Sequence, residues 1–238
     1  MTYKIKILTL LISCNIFADY QITVLATNIS NYGGFGEWSF SALYESDKES
    51  ILFDTGFHED TVLHNAMILG KDLSKVNKVV LSHFHSDHTG GLIKLRKTYK
   101  NINKNAFSEV YVARGFFDQR FYKDGSKEAP GKFKDSSKFK KKAEEEGIKF
   151  IILDDHMMIS ENLYVTGTVE RTVEKYNGPM GFFLDEQLTI PDIIKDDQSV
   201  GMLTDKGWIM MSGCGHSGII NTAKKPVSYT HLTLPTSR

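Results

Sequence analysis

The sequence predicts an α/β fold in the α+β sense, a four-layer αββα sandwich, and three observations predict it. Short β-branched and aromatic runs recur in two groups, and segments with helical spacing lie outside them. At 238 residues and 41% hydrophobic content, the chain can bury one substantial core. No internal repeat or low-complexity linker divides it, so one domain is expected. Two strand groups with helices outside them pack as sheet on sheet under helical layers.

The first strand group is read at 21–26, 40–45, 49–53 and 78–81, separated by Gly- and Asn-containing turns in the pattern of a meander. Helical spacing marks 61–69. Gly90-Gly91 opens a second helix at 92–97, whose N-terminus faces back toward the preceding loop. The middle third offers strands at 109–113, 150–153 and 163–166 and a Lys/Glu helix at 137–146. The last paired strands, 201–204 and 208–212, precede a Gly-rich turn at 213–218.

Twenty-nine basic residues balance 29 acidic ones, and no aromatic-basic alternation occurs, so no nucleic-acid surface is expected. Lysines between 132 and 142 are followed by Glu144, Glu145 and Glu146, the pattern of a solvated helix with opposite charges four apart. An electropositive rim that attracts an anionic substrate is the alternative use. The expected partner is a small-molecule substrate; the oligomeric state is open.

At the N-terminus Lys4 and Lys6 precede the apolar run 7–13, a cationic start and apolar stretch of secretory type. Residues 1–18 are therefore read as a signal peptide and the chain as exported, in a periplasm-like compartment, with a cytoplasmic location as the alternative. Cleavage after Ala18 competes with lipid anchoring at Cys14, where Leu11-Ile12-Ser13-Cys14 resembles a lipoprotein box. The run is too short for a permanent membrane span. Cys14 and Cys214 are the only cysteines, so no disulfide framework is expected. At the other end, residues 227–238 resemble a translated sequencing adapter. The domain is accordingly read as 19–226, incomplete at its C-terminal end, and His231 as no ligand. A chain lacking terminal elements of the sandwich is expected to fold poorly.

Residues 79–91 read Val-Val-Leu-Ser-His-Phe-His-Ser-Asp-His-Thr-Gly-Gly, placing three of eight histidines and a carboxylate within six residues. In an extended segment residues i and i+2 point the same way, so His83 and His85 grip one cation together. The chain then turns, and Asp87 and His88 face a second point. Imidazole with carboxylate suits zinc first, then manganese or iron(II), and one or two divalent ions are expected. A histidine-rich polar loop without a ligand is the alternative, and composition alone rarely produces this order.

This run resembles the signature of the metallo-β-lactamase superfamily, whose members share an αββα sandwich and mostly carry out metal-assisted hydrolysis. Ile51-Leu52-Phe53-Asp54-Thr55-Gly56 resembles that superfamily's strand ending in an Asp-x-Gly turn beside the metals. Asp196-Asp197-Gln198-Ser199-Val200, with the strand and Gly-rich turn at 208–221, is similar to the dihydropterin ribofuranosyl-aminobenzene phosphate synthase-like subgroup. The resemblance spans 20–225.

The resemblance implies a hydrolase in which a metal-activated water attacks an ester, lactone, amide or phosphodiester, with Asp87 orienting the nucleophile and shuttling its proton. Asp54 is read as holding a histidine ring by its second nitrogen, with turn capping as the alternative. Many superfamily members have a histidine after a Thr-Gly turn, where this chain has Thr166-Gly167-Thr168-Val169-Glu170-Arg171. Thr-Gly-x-x-x-Arg resembles the synthase-like subgroup and shifts the ligand role to His216 and Cys214. For Cys214 a small buried residue is the alternative, and for His216 a substrate contact. Arg171 is either an anion clamp or a salt-bridge residue. His58 and His64 are read as surface or supporting residues; Phe116, Phe117, Phe121 and Tyr122 either line a ring-shaped substrate's pocket or pack in the core. The subgroup name implies a pterin-linked synthase step, a poor fit to an exported protein and carried as fold-level analogy. A catalytically silent metal-binding protein is a further reading. A di-iron flavoprotein is disfavoured by His85, where those proteins have glutamate.

Overall fold

The computed structural model describes residues 20–30, 32–122, 135–176, 178–204 and 207–230. The leader read at 1–18 and positions 231–238, with His231, lie outside the described residues.

Six strands form the first sheet: β1 (Gln21–Ala26), β2 (Ser41–Glu45), β3 (Ser50–Phe53), β4 (Val76–Val80), β5 (Glu109–Ala113) and, at its far edge, β7 (Lys149–Leu153). The meander read from the sequence extends only through β3. From there β3–β4, β4–β5 and β5–β7 pair in parallel. Parallel neighbours need crossovers, and helices supply them: α1 (Thr61–Ile68) between β3 and β4, α2 (Ser86–Thr89) and α3 (Leu92–Tyr99) between β4 and β5, α4 (Ser136–Glu145) before β7. A two-residue pair, β6 (Phe121–Tyr122) with β10 (Phe182–Phe183), lies outside both main sheets. The second sheet has the order β12 (Gly207–Ser212), β11 (Ser199–Thr204), β9 (Leu163–Val165), β8 (Met157–Met158). α5 (Ile219–Thr230) follows the Gly-rich turn and carries the chain through 227–230.

Strand alternation divides the apolar residues into two cores. Leu43, Leu52, Val79, Val110 and Val112 pack with Val62 of α1, Leu92 and Leu95 of α3 and Phe139 of α4. Their sequence neighbours Ala42, Tyr44, Ile51, Phe53, Val80 and Tyr111 face the opposite way, against Leu163, Val165, Val200, Met202 and Met211 of the second sheet. Helices, six-stranded sheet and four-stranded sheet thus form successive layers, each fully buried side chain of Leu or Phe size contributing roughly 1.5–3 kcal/mol.

Parallel β3, β4, β5 and β7 end on the same side of the sheet, which gathers the loops after them along one rim. Of the aromatic residues of the insertion after β5, Phe121 and Tyr122 form β6, whereas Phe116 and Phe117 pack in the core under the helices. Phe116 is buried against Phe84 and Phe117, and Phe117 stacks edge-on with Phe150, so both serve the core.

Candidate metal centre

His83 and His85 lie on the loop leaving β4, and Asp87 and His88 in α2, whose N-cap is His85. Two features set this loop's position. Thr55 donates from its backbone N–H and its hydroxyl to His88 O, at 2.7 and 2.9 Å. Gly90 N donates to Gly56 O at 2.9 Å and Gly91 N to Thr55 O at 3.1 Å. The approach is so close that a Cβ on Gly90 would fall 1.8 Å from Phe57 O, and one on Gly91 2.4 Å from Thr55 O, so only glycine fits either position.

Opposite this loop stands the turn after β12. It brings His216 over His83, with ring centroids 4.7 Å apart, and places Cys214 Sγ 3.2 Å from His88 Nε2. Two groups of potential ligand atoms result: His83 with His85 and His216, and His83 with His88 and Cys214, each with its atoms within 4.8 Å of one another. Asp87 Oδ2 lies 3.2 Å from His88 Nε2 and 3.9 Å from Cys214 Sγ. Six sequence-read residues thus converge: His83, His85, Asp87, His88, Cys214 and His216. Cys214 is exposed, in contrast to the buried alternative read for it.

The donor set fits a divalent cation on its own chemistry. Burial, with the neighbouring histidines, holds His83 well below the ordinary imidazole range. Burial, with Arg120 next, lowers His85 to about 3; burial, with His88 next, lowers His216 to about 4. Three imidazoles are therefore presented neutral, the form that ligates. His216 Nε2 is buried without a hydrogen-bond partner among the described residues, a condition that costs about 1–3 kcal/mol unless a ligand meets it.

Residues 39–224 match the family model of the metallo-beta-lactamase superfamily. The chain belongs to that superfamily. Among similar proteins, the Methanocaldococcus jannaschii protein named 7,8-dihydropterin-6-methyl-4-(beta-D-ribofuranosyl)-aminobenzene-5'-phosphate synthase is 26% identical over 225 residues, covering 90% of this chain and 74% of that one. An uncharacterized protein of the same organism is 28% identical over 209 residues, covering 86% and 73%. Among solved structures, Tm1679, described as a metal-dependent hydrolase of the beta-lactamase superfamily, superposes with a TM-score of 0.66 at 26% identity, covering 89% of this chain and 72% of that one.

Beside the histidine cluster of this metallo-beta-lactamase domain, a buried acid holds one of the rings. Asp54, at φ 56° and buried, accepts the Ser82 amide on Oδ1 and faces His88 Nδ1 with Oδ2, both at 2.6 Å. Burial disfavours the His88 cation, but the Asp54 and Asp87 carboxylates outweigh it and raise this imidazole well above its ordinary range. Arg171, read as an anion clamp or a salt-bridge residue, binds backbone carbonyls in this structure. Its Nη2 donates to Ile193 O at 2.7 Å and Ile194 O at 3.0 Å, and its Nε to His216 O at 3.4 Å.

A cavity of about 750 Å³ opens over the cluster, with His85, Asp87 and His216 at its base and Trp38, Phe57 and Phe182 among its walls. These aromatics, rather than the Phe116–Tyr122 cluster, line the pocket. His58 also borders it, whereas His64 donates from Nε2 to Gly33 O at 2.7 Å and stacks on Phe35. Sequence reasoning passed over Trp38 and Phe182, which carry no motif. It also gave no role to Asp196, Asp197 or Gln198 individually, although their side chains are buried beside the ligand loops.

Proposed function

We propose that this chain is a metal-dependent hydrolase that holds one or two divalent ions, zinc first, between the loop 83–88 and the turn 213–218. The observation that carries the reading is the pair of ligand groups sharing His83 at the base of an aromatic-walled cavity. When bound, such an ion supplies Lewis acidity to a substrate oxygen and acidifies a water. His83, His85 and His216 would hold one ion, and His88 and Cys214, with Asp87 beside them, a second.

The chain's own residues supply the rest. Asp87 sits at the cavity base with its carboxylate pulled below the ordinary range: burial opposes this, and the hydrogen bond and charge of His88 outweigh it. An ionised carboxylate there accepts a proton from the attacking water and passes it on. Trp38, Phe57 and Phe182 offer flat apolar surface that binds an apolar or ring-bearing part of the substrate and excludes water.

A pterin-linked synthase step is the second reading, favoured by the name of the Methanocaldococcus jannaschii relative and the aromatic cavity wall. Metal analysis of the purified chain, with turnover of lactone, ester and phosphodiester panels, tests the hydrolase. Bound metal with hydrolysis of at least one class is expected. Bound metal without turnover of any class turns the reading toward the synthase or a silent binder, and no metal uptake overturns it.

A further inference from the structure

Asp196, Asp197 and Gln198 form a buried strip that touches both halves of the metal centre. Asp196 Oδ2 accepts the Phe84 amide, between the first two histidines, at 2.8 Å, and its Oδ1 pairs with Arg120 at 2.6 Å. Gln198 N donates to Ser82 O, and Gln198 Nε2 to Leu81 O, both at 2.9 Å. Asp197 lies between these two, and one of its carboxylate oxygens reaches the opposite turn. Its Oδ2 accepts the Ser217 amide at 2.7 Å, and its backbone oxygen accepts the Ser217 hydroxyl at 3.2 Å. Ser217 follows His216 directly.

Asp197 Oδ1 is the unusual atom. It is buried, has no hydrogen-bond partner among the described residues, and lies 3.8 Å from His83 Nδ1. Capping the turn at 216–218 requires only Oδ2. A fully buried carboxylate oxygen 3.8 Å from an imidazole nitrogen, longer than a hydrogen bond, instead acts on that ring through its charge and fits its orientation. His83 has two distinct sides: Nδ1 faces Ser82 Oγ at 2.9 Å and Asp197, and Nε2 faces His85 Nδ1 at 2.9 Å within the ligand group. A neutral ring protonated where the oxygen acceptors lie keeps its Nε2 lone pair for the ion.

We infer that Asp197 is a positioning residue that orients His83 through Nδ1 and ties that ring to the loop carrying His216, so that the two halves of the centre are set by one carboxylate. The inference rests on the metal-dependent reading above, but its test reads metal binding rather than turnover.

The full chain carrying Asp197→Asn is compared with wild type for Zn2+ affinity by chelator competition, for the visible spectrum of bound Co2+, and for metal-free melting. D197N keeps the shape and the acceptor for Ser217 but loses the charge. Zinc affinity about 10–100-fold weaker is expected, with a changed cobalt spectrum and a metal-free protein that still melts cooperatively. In a His83→Ala background the same substitution should add little. Wild-type affinity and spectrum in D197N, or losses in D197N and H83A that simply add, overturn the inference and leave the hydrolase reading intact. Absence of metal binding by the wild type overturns both. If D197N does not fold, long-range 1H–15N spectra of zinc-loaded wild type decide: His83 protonated at Nδ1 and ligated through Nε2 is expected, and the reverse overturns the inference.

Discussion

His88 and Asp54 face each other through Nδ1 and Oδ2 at 2.6 Å, both side chains removed from solvent, and the second Asp54 oxygen takes up the Ser82 amide at the same distance. One carboxylate therefore anchors the ring of a candidate ligand and the backbone entering the histidine loop. Asp54→Ala strands a buried imidazole and a buried amide together, and a loss of about 3–5 kcal/mol is expected. Asp54→Asn keeps an acceptor for Ser82 and should lose less, while weakening metal binding about 10–100-fold. Denaturant unfolding and chelator competition on the two variants check the order.

The His88–Asp54 contact also sets a pH dependence. Burial disfavours the His88 imidazolium, but Asp54 and Asp87 hold its pKa well above 6.5 in the metal-free chain. A raised folded-state pKa contributes stability that is complete below the unfolded value and is lost as pH rises through the folded one. Melting temperature of the metal-free protein should thus fall from pH 6.5 upward, and D54N should flatten that limb. The same protons compete with metal, so affinity at the His88 side should rise over this window. A metal-free melting temperature that is level from pH 6.5 upward removes the argument.

Removing the metal should destabilise the chain by mass action. A ligand held at a hundred times its dissociation constant adds about 2.7 kcal/mol, so excess chelator is expected to lower the melting temperature by several degrees. His216→Ala deletes a member of the first ligand group and Cys214→Ser one of the second. H216A should abolish or greatly weaken the first site, whereas C214S should lower the metal count of a two-metal protein while sparing His83, His85 and His216. Equal metal content in wild type and both variants would falsify the two-group assignment.

How much of this was legible beforehand follows from sequence distance. His83, His85, Asp87 and His88 lie within one turn of chain, so their spacing alone implies a shared centre. β1 and β5 coincide with the runs read at 21–26 and 109–113, because each is a short run rich in apolar and β-branched residues. The parallel pairing after β3 was not legible, since a strand's partner depends on where its crossover helix packs. α5 was missed because Pro226, a helix breaker, lies inside it and its residues from 227 on fall in the stretch read as a foreign tail. Arg171 was legible as a residue but not as a contact: its carbonyl partners on Ile193, Ile194 and His216 are distant in the chain.

Trp38 is 78% exposed yet borders the cavity above the ligand cluster. Little of its surface is buried in the folded chain, so Trp38→Ala should change stability by less than about 0.5 kcal/mol. If its ring binds substrate, KM should rise with metal content unchanged, and losing one stacked aromatic contact of about 0.5–1.5 kcal/mol corresponds to a two- to tenfold increase. A fall in kcat alone would place Trp38 outside the binding surface.

Arg171 separates two kinds of role most cleanly. A guanidinium that recognises an anionic substrate keeps donors free for it, and its loss raises KM without touching stability. In this structure Nε and Nη2 instead bind three carbonyls, including His216's own, and the ring of Tyr176 lies under the side chain at 5.7 Å. Arg171→Ala should therefore destabilise by roughly 1–2 kcal/mol, through carbonyls left without a donor, and loosen the metal by freeing the His216 backbone. Arg171→Lys should recover little of either, because a single ammonium cannot reproduce the fork. Thermal melts and zinc competition on R171A and R171K check this. A selective KM effect on anionic substrates, with unchanged melting and zinc affinity, would restore the anion clamp.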